Sequence, residues 1–232
     1  IDIDKLNQAI HIVNEKRKAL QRLYNCRKNS CVPISGRDVL LIMQIAFFDD
    51  PERLTAQVNS LCEELEKRIK EDVSIAPKNA PRILITGTPM AVPNWKMHNI
   101  VETSGGIVVC EENCTGTRYF TNTVKEINKT MEEAASVLTE RYFNNIHCAC
   151  FTPNPERIDD ILRLAKEYQV DGILNVNLKF CNLYATENYF VERRLKEEGY
   201  KVLSLETDYE DSDAEQLRTR VSAFLEMIEA NK

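Results

Sequence analysis

The sequence predicts an α/β fold: a parallel sheet of about four strands flanked by helices and preceded by a helical segment. Four short apolar runs, ILIT (83–86), GIVVC (106–110), GILNV (172–176) and KVLSL (201–205), read as buried strands, and helical patterns separate them. That alternation is the signature of βαβ units, whose right-handed crossovers place all strand C-termini on one edge. Five of the eight cysteines, Cys110, Cys114, Cys148, Cys150 and Cys181, lie at strand ends or in the loops between. Open α/β sheets bind their ligands at that edge, so the thiols are expected to converge there.

Residues 1–78 read as a helical lead-in. LNQAIHIVNEKRKALQRLYN carries apolar residues at helical spacing. Ser35 is a candidate N-cap, with Asp38 three residues on. Pro51, after Asp49 and Asp50, sits at the first position of a third helix. The alternating charges of that helix read as a solvated face. IAPKNAP (75–81), with two prolines, marks a boundary, so the α/β domain is expected over 79–232.

The first strand leads into TGTPMAVPNW, where Gly87 permits a turn and Pro93 can start the next helix. This layout has the outline of a phosphate loop, but it is neither G-x-G-x-x-G nor a Walker A, and a plain βα turn explains it equally well. After GIVVC come Glu111 and Glu112, then Cys114, a turn at Thr115-Gly116-Thr117, and Arg118. A strand-tip carboxylate suits a helix cap, and a nearby arginine suits pairing with it or holding a substrate anion. Glu112 and Arg118 are therefore the catalytic candidates.

A helical pattern spans Val124 to Tyr142. Asn154-Pro155 starts another helix, and Asp171-Gly172 turns into the third strand. That strand ends at Phe180 and Cys181, and Phe180 is placed to shield a cluster from water. Asn182, Tyr184, Glu187 and Asn188 put polar groups near the next helix start. Gly199 is a C-terminal stop. Ser212 or Asp213 can cap the final helix, and Glu206 and Asp208 fall on the thiol edge.

Composition is that of an ordinary soluble protein, with 43% hydrophobic and 28% charged residues. The net charge of −6 argues against nucleic acid as a partner. No apolar run approaches the ~20 residues that span a bilayer, and no signal peptide is visible, so a cytoplasmic protein with no membrane partner is expected. The chain begins IDIDKLN without a methionine, as a fragment of a longer protein would. Eight cysteines in such a chain are not a secreted disulfide framework. Cys26, Cys31 and Cys62 read as small core hydrophobes.

Zinc is usually signalled by paired C-x2-4-C knuckles, whereas this chain has C-x3-C and C-x-C. A redox dithiol would show C-x-x-C, which is absent. Iron–sulfur ligation suits scattered thiolates, because the cluster itself bridges distant loops. On spacing alone iron–sulfur is favoured, and zinc or no metal stays open.

Three runs resemble the 2-hydroxyacyl-CoA dehydratase and benzoyl-CoA reductase subunit family: GTPMAVPNWKMHNIVETSGGIVVCEENCTGTRYF, HCACFTPNPERIDDILRLAKEYQVDGILNVNLKFC and VLSLETDYEDSDAEQLRTRVSAFLEMIE. The likeness covers Pro33 to Ala230. EENCTG, C-x-C and ETDY are most similar to its double-cubane-cluster reductase branch, and CTGTRYF and LKFC to its benzoyl-CoA reductase side.

The resemblance implies a flavodoxin-like α/β domain and a low-potential iron–sulfur protein, the cluster being 4Fe-4S or double-cubane. It implies the cluster-carrying subunit of an anaerobic reductase or dehydratase, acting on a small or CoA-linked substrate by one-electron chemistry, through a ketyl radical in a dehydratase. A separate ATPase activator with its own iron–sulfur cluster and a homologous subunit, in a homo- or heterodimer, are the implied partners. The family's further N-terminal α/β domain is expected to be absent from this chain. Cys181 matches the family's cluster cysteine after the third strand, and Cys114 is the next iron ligand. Cys148, Cys150 and Cys110 join only on the double-cubane branch. The competing expectations are a non-enzymatic metal or redox-binding module, a zinc-stabilised α/β domain, or a nucleotide binder with its phosphate loop at Gly87.

Overall fold

The structure, a computed structural model, describes residues 2–231. Local chemistry sets the first helices. Asp2 caps α1 (Ile3–Asn25), accepting from the Lys5 N–H at 2.8 Å. Ser35 caps α2 (Gly36–Ile45) by accepting from the Asp38 N–H at 3.0 Å, as expected. Asp50 caps α3 (Pro51–Lys70), with Pro51 in its first turn.

The four apolar runs are strands that extend beyond the runs themselves: β1 (Arg82–Gly87), β2 (Ile107–Glu112), β3 (Gly172–Leu178) and β4 (Lys201–Thr207). They form one parallel sheet in the order β2-β1-β3-β4, the order of a flavodoxin-like sheet over these strands. Helices cover both faces, which is why the strands read as continuous apolar runs. Ile83, Ile85, Leu174 and Val176 pack with α4 (Lys96–Thr103) and α9 (Ala214–Glu229). Leu84, Val109 and Ile173 pack with α1, α3, α7 (Pro155–Glu167) and α8 (Asn182–Glu197). α1 and α3 thus lie on that side, while α2 contributes Val39 and Met43 to it and Leu40 to the other cluster. Cys26, Cys31 and Cys62 are buried, as expected of core thiols.

Gly87 has φ +118, and a Cβ there would lie 2.1 Å from the Val176 carbonyl oxygen. The glycine serves the close approach of β1 to β3. Gly199, at φ +86, follows α8 as the predicted stop. Asp213 stands at the N-cap position of α9, but its carboxylate pairs with Lys96 and Thr207 instead of the helix N–H groups.

Two expected helices differ. α4 begins at Lys96, not Pro93, because a turn closed by the Asn94 N–H on the Ala91 carbonyl comes first. The helix expected from Val124 reduces to α6 (Met131–Thr139) and one π turn at Glu140–Asn144. The preceding stretch is strapped to α1 instead. Buried Asn14 donates to the Val124 carbonyl at 2.7 Å and accepts from the Val124 N–H at 3.0 Å. Among the described residues no helix is long and apolar enough to cross a membrane.

Candidate functional site

The tip of β2 organises the C-terminal edge. Glu111 and Glu112 continue the strand and are both buried. Arg27, wholly buried, donates to the two Glu111 oxygens at 3.0 and 2.8 Å and lies 4.3 Å over the Tyr24 ring. His98 Nε2 stands 3.0 Å from the same carboxylate. Burial opposes ionisation of Glu111. The Arg27 charge and the His98 hydrogen bond outweigh it and hold the carboxyl at about 2.

Glu112 belongs to a second network. Thr86 Oγ1, directly across from it on β1, donates to Glu112 at 2.6 Å and accepts from Arg157 at 3.0 Å. Arg118, on the short helix α5 (Thr117–Phe120), pairs with Glu112 and donates to the Tyr184 hydroxyl at 2.6 Å. Arg157 pairs with Glu187, and Asn154 bridges Glu187 Oε1 (3.0 Å) and the Cys148 carbonyl (2.9 Å). Burial pushes Tyr184 up to about 12, with Arg118 opposing. Neither carboxylate is a helix cap, contrary to that expectation. Each is taken by an arginine distant in sequence or across a turn.

Four of the five predicted thiols gather above this network. Cys114 follows β2 and is exposed, and the Arg118 guanidinium reaches to 3.8 Å from its sulfur. Cys148 is half-buried and Cys150 exposed. The Cys150 N–H donates to Cys148 Sγ at 3.4 Å. Cys181, half-buried, directly precedes α8. The Cys150 thiol is pushed up, first by its hydrogen bond with Cys148. The charges of Cys114 and Cys181 are near enough to add to that shift.

Cys110 departs from expectation. It is fully buried in the core beside Leu84 and Val109, and burial drives its thiol well up. The reason is strand length: β2 runs two residues past GIVVC, so Cys110 lies within the strand and not at its end. Phe180 also departs. Its backbone is left-handed, at φ +66, and its ring is 97% exposed, so it shields nothing within this chain.

The four clustered thiols are a soft donor set that fits an iron–sulfur group. A tetrahedral zinc on ~2.3 Å bonds brings its sulfurs to roughly 3.8 Å of one another. Among the described residues, the donor atoms within 4.8 Å of one another belong to His11, Glu15 and Glu126, not to three of these thiols. Lys18 already pairs with both Glu15 and Glu126, at 2.8 and 3.3 Å.

A polar cavity of about 290 Å³ opens at the Glu112–Arg118 pair, lined also by Thr117, His147, Asp160 and Arg163 among others. His147 Nδ1 lies 2.7 Å from Asp160, whose other oxygen accepts from Arg163 at 2.9 Å. Sequence reasoning missed His147, Asp160 and Arg157. Arg157 carried one signal: it shares the buried face of α7 with Ile161 and Leu164, a cation where the spacing calls for an apolar residue.

A family model described as 2-hydroxyglutaryl-CoA dehydratase, D-component, matches residues 1–228. "Putative dehydratase subunit YjiM" of Escherichia coli (strain K12) is 34% identical over 230 residues, covering 98% of this chain and 58% of that protein. The (R)-phenyllactyl-CoA dehydratase beta subunit of Clostridium sporogenes is 24% identical over 225 residues, covering 97% of this chain and 57% of that protein. The chain thus spans somewhat over half the length of these relatives. With the family model matched from the first residue to Ile228, the chain belongs to the 2-hydroxyglutaryl-CoA dehydratase D-component family.

Proposed function

We propose that this chain is the thiol-bearing part of an iron–sulfur subunit in an ATP-activated 2-hydroxyacyl-CoA dehydratase, or in a reductase of the same family. The observation that carries the reading is the gathering of Cys114, Cys148, Cys150 and Cys181 above the Glu112–Arg118 pair. These four cysteines would hold a 4Fe-4S or double-cubane cluster. When bound, such a group supplies low-potential one-electron transfer.

The chain's own residues support that site. Arg118, fixed by Glu112 and Tyr184, offsets negative charge at the Cys114 sulfur. Asn154, Glu187 and Arg157 fix the loop that carries Cys148. His147, its Nδ1 engaged by Asp160, offers Nε2 to move a proton at the polar cavity. That cavity favours an enzyme subunit over a module that only stores electrons or binds zinc. The beta-subunit name of the C. sporogenes relative supports a homologous partner subunit. An activator ATPase with its own cluster would deliver the electron to a CoA-linked substrate. Eight free thiols suit the reducing cytoplasm.

The test is anaerobic reconstitution of the full-length protein with iron and sulfide. Serine at Cys114, Cys148, Cys150 or Cys181 should lower iron per folded protein and the paramagnetic resonance signal, because a hydroxyl is the harder, weaker donor for iron. Cys110→Ser should leave iron content unchanged. Full iron in all four edge variants, or bound zinc in place of iron, would refute the reading.

A further inference from the structure

A second cavity, of about 470 Å³, is lined by Asn122, Thr123, Lys125, Glu140 and Arg141 among others. It shares Thr121, Asn122 and Asn145 with the polar cavity at Glu112. Arg141 is only 4% exposed, yet among the described residues it has no carboxylate partner. Its Nε donates to the Asn122 carbonyl at 2.7 Å, and its Nη2 to the Tyr119 and Arg118 carbonyls at 3.1 and 3.2 Å. Nη1 is left without a hydrogen-bond partner among the described residues. A second buried arginine is in the same condition. Arg17 donates to Asn14 Oδ1 at 3.2 Å and to the Tyr142 hydroxyl at 2.6 Å, and its buried Nε has no partner. Both guanidiniums lie 5.5 Å from the Tyr142 ring centroid, so the two cations share one neutral neighbour. Burial, and then the Arg17 charge, pull the Arg141 guanidinium below its ordinary value. The carboxylates of the neighbourhood are already engaged. Glu126 is taken by His11 and Lys18 at 2.9 and 3.3 Å, and Glu140 by the Asn144 and Asn145 amides at 2.6 and 2.9 Å.

Buried positive charge without a counter-charge is costly, and here one of two such charges forms the wall of a cavity of small-molecule size. We infer that this cavity is a binding site for a phosphoryl dianion, free orthophosphate or the phosphate end of a small polar molecule, taken by Arg141 together with Lys125, Asn122 and Thr123. Three features select that occupant. The Arg141 guanidinium is always charged and is already fixed by three carbonyls, so little side-chain freedom remains to be lost on binding. Lys125, Asn122 and Thr123 make no other side-chain hydrogen bond among the described residues, which leaves an ammonium, an amide and a hydroxyl for the several oxygens of a tetrahedral anion. A doubly charged ligand offsets both arginines, where a carboxylate offsets one. The site also touches the thiol edge. The guanidinium that takes the anion holds the carbonyl of Arg118, so occupancy steadies α5, the helix that carries Arg118 to Glu112 and Cys114.

The test is isothermal titration of the full-length protein in low-salt buffer at pH ~8, where a phosphate is a dianion. The probes are orthophosphate and AMP, with acetate as the singly charged control. Orthophosphate or AMP should bind once per chain, the tighter of the two naming the free or the esterified source. Acetate should bind at least about tenfold more weakly, since it forgoes a charge-assisted bond. Lys125→Met, at an exposed position, should weaken phosphate about two- to fivefold. Glu140→Gln, which removes the lining carboxylate, should strengthen it by about as much. Arg141→Lys should weaken it at least about tenfold; if that variant does not fold, the Lys125 and Glu140 variants decide. Hydrogen exchange at the Tyr119 and Thr121 amides, bonded within α5 and its flanks to the Gly116 and Thr117 carbonyls, should slow when phosphate binds. Equal affinity for acetate and phosphate, no heat of binding, or phosphate affinity unmoved by both Lys125→Met and Glu140→Gln would overturn the inference. Phosphate displaced by coenzyme A would also overturn it, because the cavity would then belong to the path of a CoA-linked substrate. Unchanged amide exchange at saturating phosphate would overturn the link to α5.

Discussion

Replacing Glu111 by glutamine removes one charge and changes almost no volume. The partner, Arg27, is wholly buried and makes bidentate contact with Glu111 at 3.0 and 2.8 Å. Stripping one member from a buried ion pair leaves the other uncompensated, at about 3–5 kcal/mol. An independent route agrees. Arg27 and His98 pull the Glu111 carboxyl from 4.5 to about 2 against its burial. At ~1.4 kcal/mol per pKa unit that is about 3 kcal/mol. For a domain of this size the thermal midpoint of Glu111→Gln should fall by about 6–20 °C.

The pH dependence has a definite sign. A carboxyl whose folded pKa is depressed contributes fully above its ordinary value of 4.5, and the contribution drains as pH falls toward about 2. Urea melts at pH 7, 4.5 and 3.5 should therefore show wild type and variant separated by the full gap at the first value, by nearly all of it at the second, where the unfolded carboxyl is half protonated, and by a clearly smaller gap at the third. Arg27→Met should cost a comparable amount. The double variant should cost much less than the sum, because no unpaired charge remains. A Glu111→Gln penalty below about 1 kcal/mol, or strict additivity in the double variant, would refute the reasoning.

Two further outcomes follow from thiol exposure and backbone geometry. In cluster-free native protein, iodoacetamide should label Cys114 and Cys150 first, while Cys62 and Cys110 react only in denaturant. The Cys150 rate should still be climbing above pH 9, since its thiol is pushed up from 9.0; mass spectrometry would contradict this by finding native Cys110 modified or a Cys150 midpoint below 9. Gly87→Ala forces a Cβ to 2.1 Å from the Val176 carbonyl at a positive φ. It should destabilise by about 2 kcal/mol or more, and a urea midpoint within error of wild type would show that β1 and β3 can part at little cost.

What was legible in the sequence was what local chemistry decides. The four strands announced themselves because helices cover both sheet faces, so each strand carries a continuous or nearly continuous apolar run within its bounds. Ser35, Pro51, Asn154-Pro155 and Gly199 marked helix ends because capping is settled within a few residues. What was illegible was settled by partners far away. Glu111 and Glu112 look like loop residues beside Cys114, and nothing nearby shows that Arg27, 84 positions earlier, makes Glu111 a strand residue. That single extension of β2 moved Cys110 from the ligand edge into the core. Asn14 likewise overrides the helical pattern after Val124 from 110 positions away.

The two neighbouring carboxylates also show how a structural ion pair differs from one that serves a site. Both are buried, both are held by arginine, and sequence treats them alike. They differ in where the arginine's remaining contacts lead. Arg27 ends inside the core, on the Val108 carbonyl and the Tyr24 ring, so its charge does nothing beyond holding β2 to the helical layer. Arg118 ends at the Tyr184 hydroxyl, the Cys114 sulfur and the wall of an open cavity. A cation kept at such a place, with one carboxylate to fix it and a thiol within reach, is positioned for the negative charge that the proposed cluster would bring to the edge. On that proposal the burial of Glu112 serves the thiol edge, whereas the burial of Glu111 serves the strand that leads to it.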